Sequence, residues 1–373
     1  MIIGIDIRTL MDKQYSGVSE YTLNLVNALL EVDQINEYRL FYNSFSDISE
    51  NIPRFGASNV KIIKKQYPNK LLNYLFFTVL DYPKVDDILG CDVFLMPHIN
   101  FVSLTKNAKS ILIVHDLSFL RYPEFFSGRK NLWHSFIDIK DLVNRFDTVV
   151  AISENTKQDI VDLLKVNEGK IEVIHSGLCV IDKVVDDKLD LPDRYFLYLG
   201  TVEPRKNIES IIKAYIKLRE KSVDYARHKL VIAGGKGWRC NQVYEMAGGS
   251  IFYKDIVFAG YIKKEHKYLY YKNASIFIFP SIYEGFGFPP LEAMHLGIPV
   301  IASNTSCLPE VLQDAALLID PLCVNEIILA IEALMESSEL RDKFVKKGFE
   351  VIKKYSWPKV AQLYLDVLMK DKI

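Results

Sequence analysis

Residues 195–218 read YFLYLGTVEPRKNIESIIKAYIKL. YFLYLG is an unbroken apolar run, TVEPRKN is a polar loop, and IESIIKAYIKL carries apolar residues at helical spacing. A buried strand, a turn and an amphipathic helix in that order make the opening βα unit of a doubly wound parallel sheet. The start of the chain follows the same plan. Ile2–Ile7 is a short apolar strand, Asp12–Gly17 a polar loop, and YTLNLVNALLEV an amphipathic helix. More short runs rich in Val, Ile and Phe follow each opening. They are VFLMP (93–97), ILIVHD (111–116) and TVVAIS (148–153) in the first half. In the second half they are KLVIAGG (229–235), DIVFAGY (255–261), SIFIFPS (275–281) and IPVIAS (298–303). None alternates apolar with polar residues, as expected of strands buried on both faces of a parallel sheet. The expected fold is α/β: two Rossmann-like, doubly wound parallel-sheet domains in tandem, facing a central cleft.

A chain of 373 residues accommodates two to three domains at roughly 150 residues each. The acidic stretch Val180–Pro192 precedes a fresh strand and is the expected hinge. The expected division is 1–182 for the first domain, 193–355 for the second and 356–373 for a terminal helix that crosses back to the first. Ser356 is placed to cap that helix, with Pro358 in its first turn.

Composition excludes several classes. Hydrophobic residues make up 49% and charged residues 25%, which is globular rather than disordered usage. Lys+Arg at 46 nearly cancels Asp+Glu at 47, so no whole-molecule basic field is available for nucleic acid. Cys91, Cys179, Cys240, Cys307 and Cys323 are scattered without a C-x-x-C pair, against a disulfide framework or zinc ribbon. The N-terminus reads as a strand rather than a signal peptide. The longest strongly apolar stretch, Leu71–Leu80, falls well short of the ~20 residues that cross a bilayer. A cytoplasmic protein is expected.

Ligands of open α/β sheets bind outside the carboxyl ends of the strands, so polar residues just after strands carry most weight. Arg205 and Lys206 sit side by side after the YFLYLG strand, and a cationic pair there suits a diphosphate; the bland alternative is a solvated basic turn. FPSIYEGFGFPPLEAMHLGIPVIAS (279–303) places Glu284, Gly285 and Gly287 between a strand and a helix bearing Glu292. Glycines there admit close backbone approach, and carboxylates accept paired hydrogen bonds from sugar or ribose diols. The acids would otherwise simply complement the helix dipole. His115 ends a buried strand beside Asp116, which is placed to orient the ring, although a histidine there is often structural. Gly17 opens the first helix, where backbone N–H groups suit a phosphate. The chain has no G-x-x-x-x-G-K-[ST] loop, no strict G-x-G-x-x-G after a strand, no H-E-x-x-H and no D-x-D. A diphosphate is therefore expected to be held by Arg and Lys, without a metal.

These residues resemble a known family. EGFGFPPLE, with Glu284 and Glu292 at E-x₇-E spacing, resembles the motif of the retaining family-4 (group 1) glycosyltransferases. LGTVEPRKN, VHDLSFLRYPEFF, AISENTKQDI and GVSEYTLNLVNALL are similar to its other segments, in the expected order, over nearly the whole chain. The VHDLSFLRYPEFF wording is most similar to the bacterial mannosyltransferase branch that builds O-antigen and other surface polysaccharides. The resemblance implies a GT-B fold, an acceptor bound by the first domain (1–182), a nucleotide-sugar donor bound mainly by the second (193–355), and retention at the anomeric carbon. By analogy Glu292 holds the ribose hydroxyls and Glu284 the transferred sugar. Gly285, Phe286 and Gly287 lie near sugar and phosphate, and Arg205 and Lys206 neutralise the leaving diphosphate. His115 contacts the donor sugar, Gly17 the diphosphate, and Tyr261 and Ile262 flank the base. The first loop departs from the Gly-Ile-Gly-like run of relatives: it reads Gly17–Val18–Ser19–Glu20, with an acid where a diphosphate is expected.

The expected reaction transfers mannose from GDP-mannose to a hydroxyl of a lipid-linked glycan, with no other cofactor. The rivals are a nucleotide-sugar epimerase of the same architecture and a non-enzymatic sugar-nucleotide or glycan-binding scaffold. Residues 60–80 hold Lys61, Lys64, Lys65 and Lys70 beside Tyr74, Phe76 and Phe77, which suits peripheral contact with the inner face of a cytoplasmic membrane. The alternative for that stretch is an edge strand followed by a core-facing helix.

Overall fold

The computed structural model describes residues 1–126, 128, 136–179, 187 and 189–370. Most of the expected hinge, 180–192, lies outside them. The chain forms two compact units. The first takes residues 1–117, the described part of 132–177, and 356–370; the second takes the described parts of 118–131 and 178–355.

The first unit is built on a seven-stranded sheet. Its strands are β1 (Ile2–Asp6), β2 (Glu37–Asn43), β3 (Val60–Lys65), β4 (Val93–Met96), β5 (Lys109–Val114), β6 (Thr148–Ala151) and β7 (Ile171–Val173). They lie in the order β3-β2-β1-β4-β5-β6-β7, and every pairing is parallel. The second unit carries β8 (Tyr195–Leu199), β9 (Lys229–Ala233), β10 (Ile256–Gly260), β11 (Ala274–Phe279), β12 (Val300–Ser303) and β13 (Leu317–Ile319). Their order is β10-β9-β8-β11-β12-β13, again all parallel. Each sheet reverses its strand order once, between β1 and β4 and between β8 and β11. Both are topological switch points of the Rossmann kind, as the tandem βα openings predict.

The apolar runs form strands because both of their faces are covered. Ile3 and Ile5 of β1, Phe94 and Leu95 of β4 and the whole of β5 are buried, as are Phe196–Tyr198 of β8 and Phe277–Phe279 of β11. Helix Gly17–Val32 starts at an N-cap, Ser16, whose hydroxyl accepts from the Ser19 N–H at 3.2 Å. That N–H is therefore already engaged rather than open to a phosphate. Helix Ile208–Lys221 buries Ile208, Ile211, Ile212, Tyr215 and Leu218 at helical spacing.

The terminal helix Trp357–Met369 is capped by Ser356 and has proline in its first turn. It belongs to the first unit and lies along helix Gly17–Val32. The two helices share a buried hydrogen bond between the Tyr21 and Tyr364 hydroxyls at 2.6 Å. Trp357 approaches Gly177 so closely that an added Cβ there would lie 2.6 Å from its ring. Buried Lys109 caps the far end of the helix through Nζ, donating to the carbonyls of Val367 and Lys370 (2.5 and 2.6 Å).

Residues 118–126 fall in the second unit rather than in a first domain running unbroken to 182. Phe126 stacks on Trp238 (5.9 Å between centroids), Tyr122 meets Tyr283 edge-on at 5.7 Å, and Arg239 donates to the Glu124 carbonyl at 2.5 Å.

Candidate active site

The carboxyl edge of β8 and β11 brings together Arg205, Lys206 and Glu284, while Glu292 is held apart by other partners. After β8 the chain makes one tight turn, Pro204–Lys206. Asn207 then takes a left-handed conformation (φ 53°) and releases helix Ile208–Lys221. The Asn207 amide donates to the Pro321 carbonyl at 2.6 Å, and its oxygen accepts from the Ser210 hydroxyl at 2.8 Å. Gly200 and Gly234, after β8 and β9, bring two backbones together. A Cβ on Gly234 would sit 1.9 Å from the Gly200 carbonyl oxygen, at a φ of 149°. Only glycine fits there.

After β11 the loop Pro280–Gly287 turns back against this edge. The Ile282 N–H donates to the Arg205 carbonyl at 2.9 Å, joining the two loops. Arg205 Nη1 donates to the Tyr283 carbonyl at 2.7 Å and to Glu284 Oε2 at 2.9 Å, while Nη2 reaches Glu203 Oε1 at 2.9 Å. Lys206 Nζ donates to Glu284 Oε1 and lies 5.1 Å from the centre of the Phe279 ring. Lys206 and Glu284 are only 9% and 7% exposed. Burial by itself pushes the Glu284 carboxyl up, but the Arg205 and Lys206 charges outweigh it and bring its pKa down to about 2. Burial and the neighbouring guanidinium lower the Lys206 ammonium, against the pull of Glu284 and Glu203. The two acids and two bases balance, so the cluster is neutral but highly polar. Its cations reach an arriving anion only if Glu284 gives them up.

Gly285, Phe286 and Gly287 are buried. Phe286 packs edge-on against Tyr355 at 5.3 Å. Gly287 has φ 96°, and a Cβ there would meet Leu308 at 2.7 Å. The Glu284 N–H donates to Ser306 Oγ at 3.1 Å, which fixes the loop from below. Glu292 lies in helix Phe288–His295 and is also buried. Lys267 Nζ donates to its Oε1 and Tyr271 OH to its Oε2, both at 2.8 Å. Sequence reasoning missed Lys267 and Tyr271, which come from a segment more than twenty positions earlier with no local signature. Tyr261 follows β10 with 59% of its surface exposed, and Ile262 is half-buried beside it.

In the first unit His115 follows β5, as expected, and is half-buried. Its Nε2 donates to the Pro97 carbonyl at 2.7 Å, and its ring stands edge-on to Tyr21 at 4.7 Å. Burial lowers its pKa, and the Pro97 bond and Asp116 charge oppose that shift. Gly17 is exposed, and a Cβ on it would meet nothing within 4 Å.

A further cluster, not foreseen, occupies the switch point of this unit. Asp6, at the end of β1, accepts from Arg8 Nε and Nη2 (2.9 and 2.6 Å to Oδ2), and Arg8 Nη2 also donates to the Phe101 carbonyl at 2.8 Å. His98, just after β4, is buried, and among the described residues its Nδ1 has no hydrogen-bond partner. Burial brings its pKa down to about 4. The strand-end rule that picked out His115 applies equally to His98 in VFLMPH. Among the described residues, no group of three or more His, Cys, Asp or Glu side chains is placed to hold a metal ion.

Residues 15–180 match the model of Glycosyltransferase Family 4, and residues 183–351 match that of Glycosyl transferases group 1. The chain is 28% identical to the O-antigen chain mannosyltransferase B of Escherichia coli, covering 92% of this chain and 93% of that protein. It is 25% identical to the O-antigen chain mannosyltransferase RfbU of Salmonella typhimurium, covering 83% and 85%. In fold it is similar to sucrose-phosphate synthase from Thermosynechococcus elongatus (TM-score 0.73, 19% identity, 98% of each chain). It is also similar to Anabaena HepE in complex with UDP (TM-score 0.67, 14% identity, 98% and 99% of the two chains).

Proposed function

This chain belongs to the group 1 and family 4 glycosyltransferases of GT-B fold, and from that premise we propose that it transfers mannose from GDP-mannose to a hydroxyl of a lipid-linked glycan, with retention. The mannosyl assignment is supported by the names of its relatives. The nucleotide-sugar donor is supported by the UDP held by HepE. The observation that carries the reading is the Arg205–Lys206–Glu284 cluster at the carboxyl edge of β8 and β11. In the free protein Glu284 occupies the cations. When donor binds, its diphosphate takes over the Arg205 and Lys206 donors and Glu284 turns to the sugar hydroxyls. The cations then stabilise charge building on the departing diphosphate, where loss of one donor typically costs about 10²–10³ in rate. Glu292 holds the ribose hydroxyls, with Lys267 and Tyr271 keeping its carboxylate in place. Tyr261 and Ile262 flank the base. Gly285, Phe286 and Gly287 shape the sugar pocket, Gly17 offers its N–H to phosphate, and His115 contacts the sugar. The Pro97 bond commits its Nε2 proton and leaves Nδ1 as an acceptor for a sugar hydroxyl. No metal is required in this scheme.

The test is transfer by purified protein from GDP-mannose to a lipid-linked glycan, followed by chromatography and by NMR of the new anomeric bond. Lys206→Ala and Glu284→Ala are each expected to lose at least about a hundredfold in rate. Full turnover in both variants, or an inverted product, would sink the scheme.

Membrane contact belongs to the same proposal. β3 is an edge strand, Leu72 and Phe77 face the core, and Leu71, Val79 and Leu80 are exposed nearby. The side chains of Lys70, Tyr74 and Phe76 lie outside the described ones. Lys61 and Lys64 are paired with Glu37 and Asp47 at 3.0 and 3.1 Å, which reduces their pull on anionic lipid. Among the described residues no helix is long and apolar enough to cross a membrane. Flotation with vesicles containing anionic lipid is expected to carry the protein upward; protein left at the bottom of the gradient removes this part.

A further inference from the structure

Residues 118–126 belong to the second unit although they come from the first half of the chain. They form a short helical turn, Ser118–Arg121, then a tighter one, Pro123–Phe125, and end at buried Phe126. Turns this short leave carbonyls that must find partners outside them. The loop after β9 supplies two. Trp238 Nε1 donates to the Phe125 carbonyl, and Arg239 Nη1 donates to the Glu124 carbonyl at 2.5 Å. The Trp238 indole also stacks on the Phe126 ring, as noted above.

Tyr122 makes the second attachment, to the loop after β11, where its ring stands edge-on to Tyr283. Tyr283 is buried beside Glu284, and its carbonyl receives Arg205 Nη1 at 2.7 Å. The loop after β9 reaches the same cluster through Val202. The Val202 N–H donates to the Gly235 carbonyl at 2.9 Å, and the Gly237 N–H donates to the Val202 carbonyl at 3.1 Å. The next residue, Glu203, accepts from Arg205 Nη2 at 2.9 Å. β9 and β11 flank β8 in the sheet. Residues 118–126 therefore touch the loops on either side of the one that carries Arg205 and Lys206.

We propose that residues 118–126 are a positioning element of the donor site, anchored by Tyr122 and Trp238, an inference that rests on the diphosphate reading of the Arg205–Lys206–Glu284 cluster. For a diphosphate to replace Glu284 on Arg205, the guanidinium must stay in place while that one partner leaves. Its remaining partners, the Tyr283 carbonyl and the Glu203 carboxylate, provide the hold. Tyr122 fixes the first from the β11 side, and Trp238 fixes the second from the β9 side through Gly235, Gly237 and Val202. Misplacing a charge-assisted donor weakens its bond to an anion, because these bonds are short and directional. A segment that merely packed on the unit would lower stability without singling out the phosphates.

The probe is whichever of GDP and UDP binds the intact wild-type chain, compared with its own nucleoside, both by calorimetric titration. Tyr122→Ala takes the ring away from Tyr283. It is expected to weaken the nucleoside diphosphate by about three- to tenfold while nucleoside affinity holds. Tyr122→Phe keeps the ring and should restore wild-type affinity. Trp238→Phe keeps an aromatic ring against Phe126 but removes the indole N–H. This conservative change should leave the chain folded and weaken the nucleoside diphosphate by about three- to tenfold. Unchanged nucleoside diphosphate affinity in Trp238→Phe, or in folded Tyr122→Ala, overturns the proposal. So does an equal loss for diphosphate and nucleoside in Tyr122→Ala, or the same loss in Tyr122→Phe. A wild type that binds neither GDP nor UDP removes the donor reading, and the positioning element falls with it. A wild type that binds one of them no better than the variants do leaves the donor reading standing and removes the positioning element alone.

Discussion

At the switch point of the first unit the carboxylate of Asp6 is fully buried and committed to Arg8, two residues along the same chain segment. At the switch point of the second unit the carboxylate of Glu284 comes from the loop after β11, and its cations come from the loop after β8. The strand order is shared, and the carboxylate–cation theme recurs. The Asp6–Arg8 pair ties one turn to itself, and Arg8 holds the Phe101 carbonyl as well. The Glu284 cluster joins two loops through ion pairs that an incoming anion can exchange. A local pair is suited to scaffolding, and a pair across two strand ends is suited to ligand exchange. Topology places the site; the sequence separation of its charges separates the two uses.

The comparison breaks first at Asp6. Asp6→Asn leaves the Arg8 guanidinium buried without its charge partner, a change expected to cost about 3–5 kcal/mol in denaturant unfolding. An unaltered midpoint would mean that the pair is not structural.

Next comes the pH response. His98 has a folded pKa of about 4 against 6.5 for an unburdened histidine. The unfolded chain therefore takes up a proton first as pH falls. The contribution of neutral His98 is full above pH 6.5 and is lost as pH drops towards 4, by up to about 3 kcal/mol. Glu284 titrates lower, from 4.5 in the unfolded chain to about 2 when folded, so its contribution persists above pH 4.5 and disappears only below. His98→Gln should flatten the stability profile between pH 6.5 and 4; an equally steep profile in that variant would assign the loss to another group.

Tyr364→Phe removes the hydrogen bond to Tyr21 and should cost about 1 kcal/mol, with donor affinity unchanged. The smallest stability effect is expected at Gly17. The space around it is open, so Gly17→Ala should move stability by less than about 0.5 kcal/mol. If its N–H serves phosphate, nucleoside diphosphate affinity should still fall. Unchanged affinity would take Gly17 out of the donor site.

Much of the fold was legible because β1, β4, β5, β6, β8, β9, β11 and β12 are apolar inner strands; β10 also announces itself by its apolar run, but it is an edge strand and mostly half-buried rather than covered on both faces. β2 did not, since Glu37 and Arg39 interrupt EYRLFYN, and the ion pair that lets them sit there (2.8 Å) is a tertiary fact. β7 and β13 are three residues long, too short for any periodicity to register. Within the candidate site, Arg205, Lys206 and Glu284 stand in loops that follow strand ends and Glu292 about one turn into the next helix, so they could be picked out by position. Their pairings could not, because the β8–β11 neighbour relation and the reach of Lys267 and Tyr271 to Glu292 exist only once the sheet has formed.

The most direct test is calorimetric titration of GDP, UDP and guanosine into wild type and Lys206→Ala. If the second unit holds the diphosphate, the nucleoside diphosphate that binds wild type should lose at least about tenfold in affinity in the variant, while guanosine binding stays the same. Equal affinity for GDP and UDP in the two proteins would contradict the assignment of Lys206, and with it the site described here.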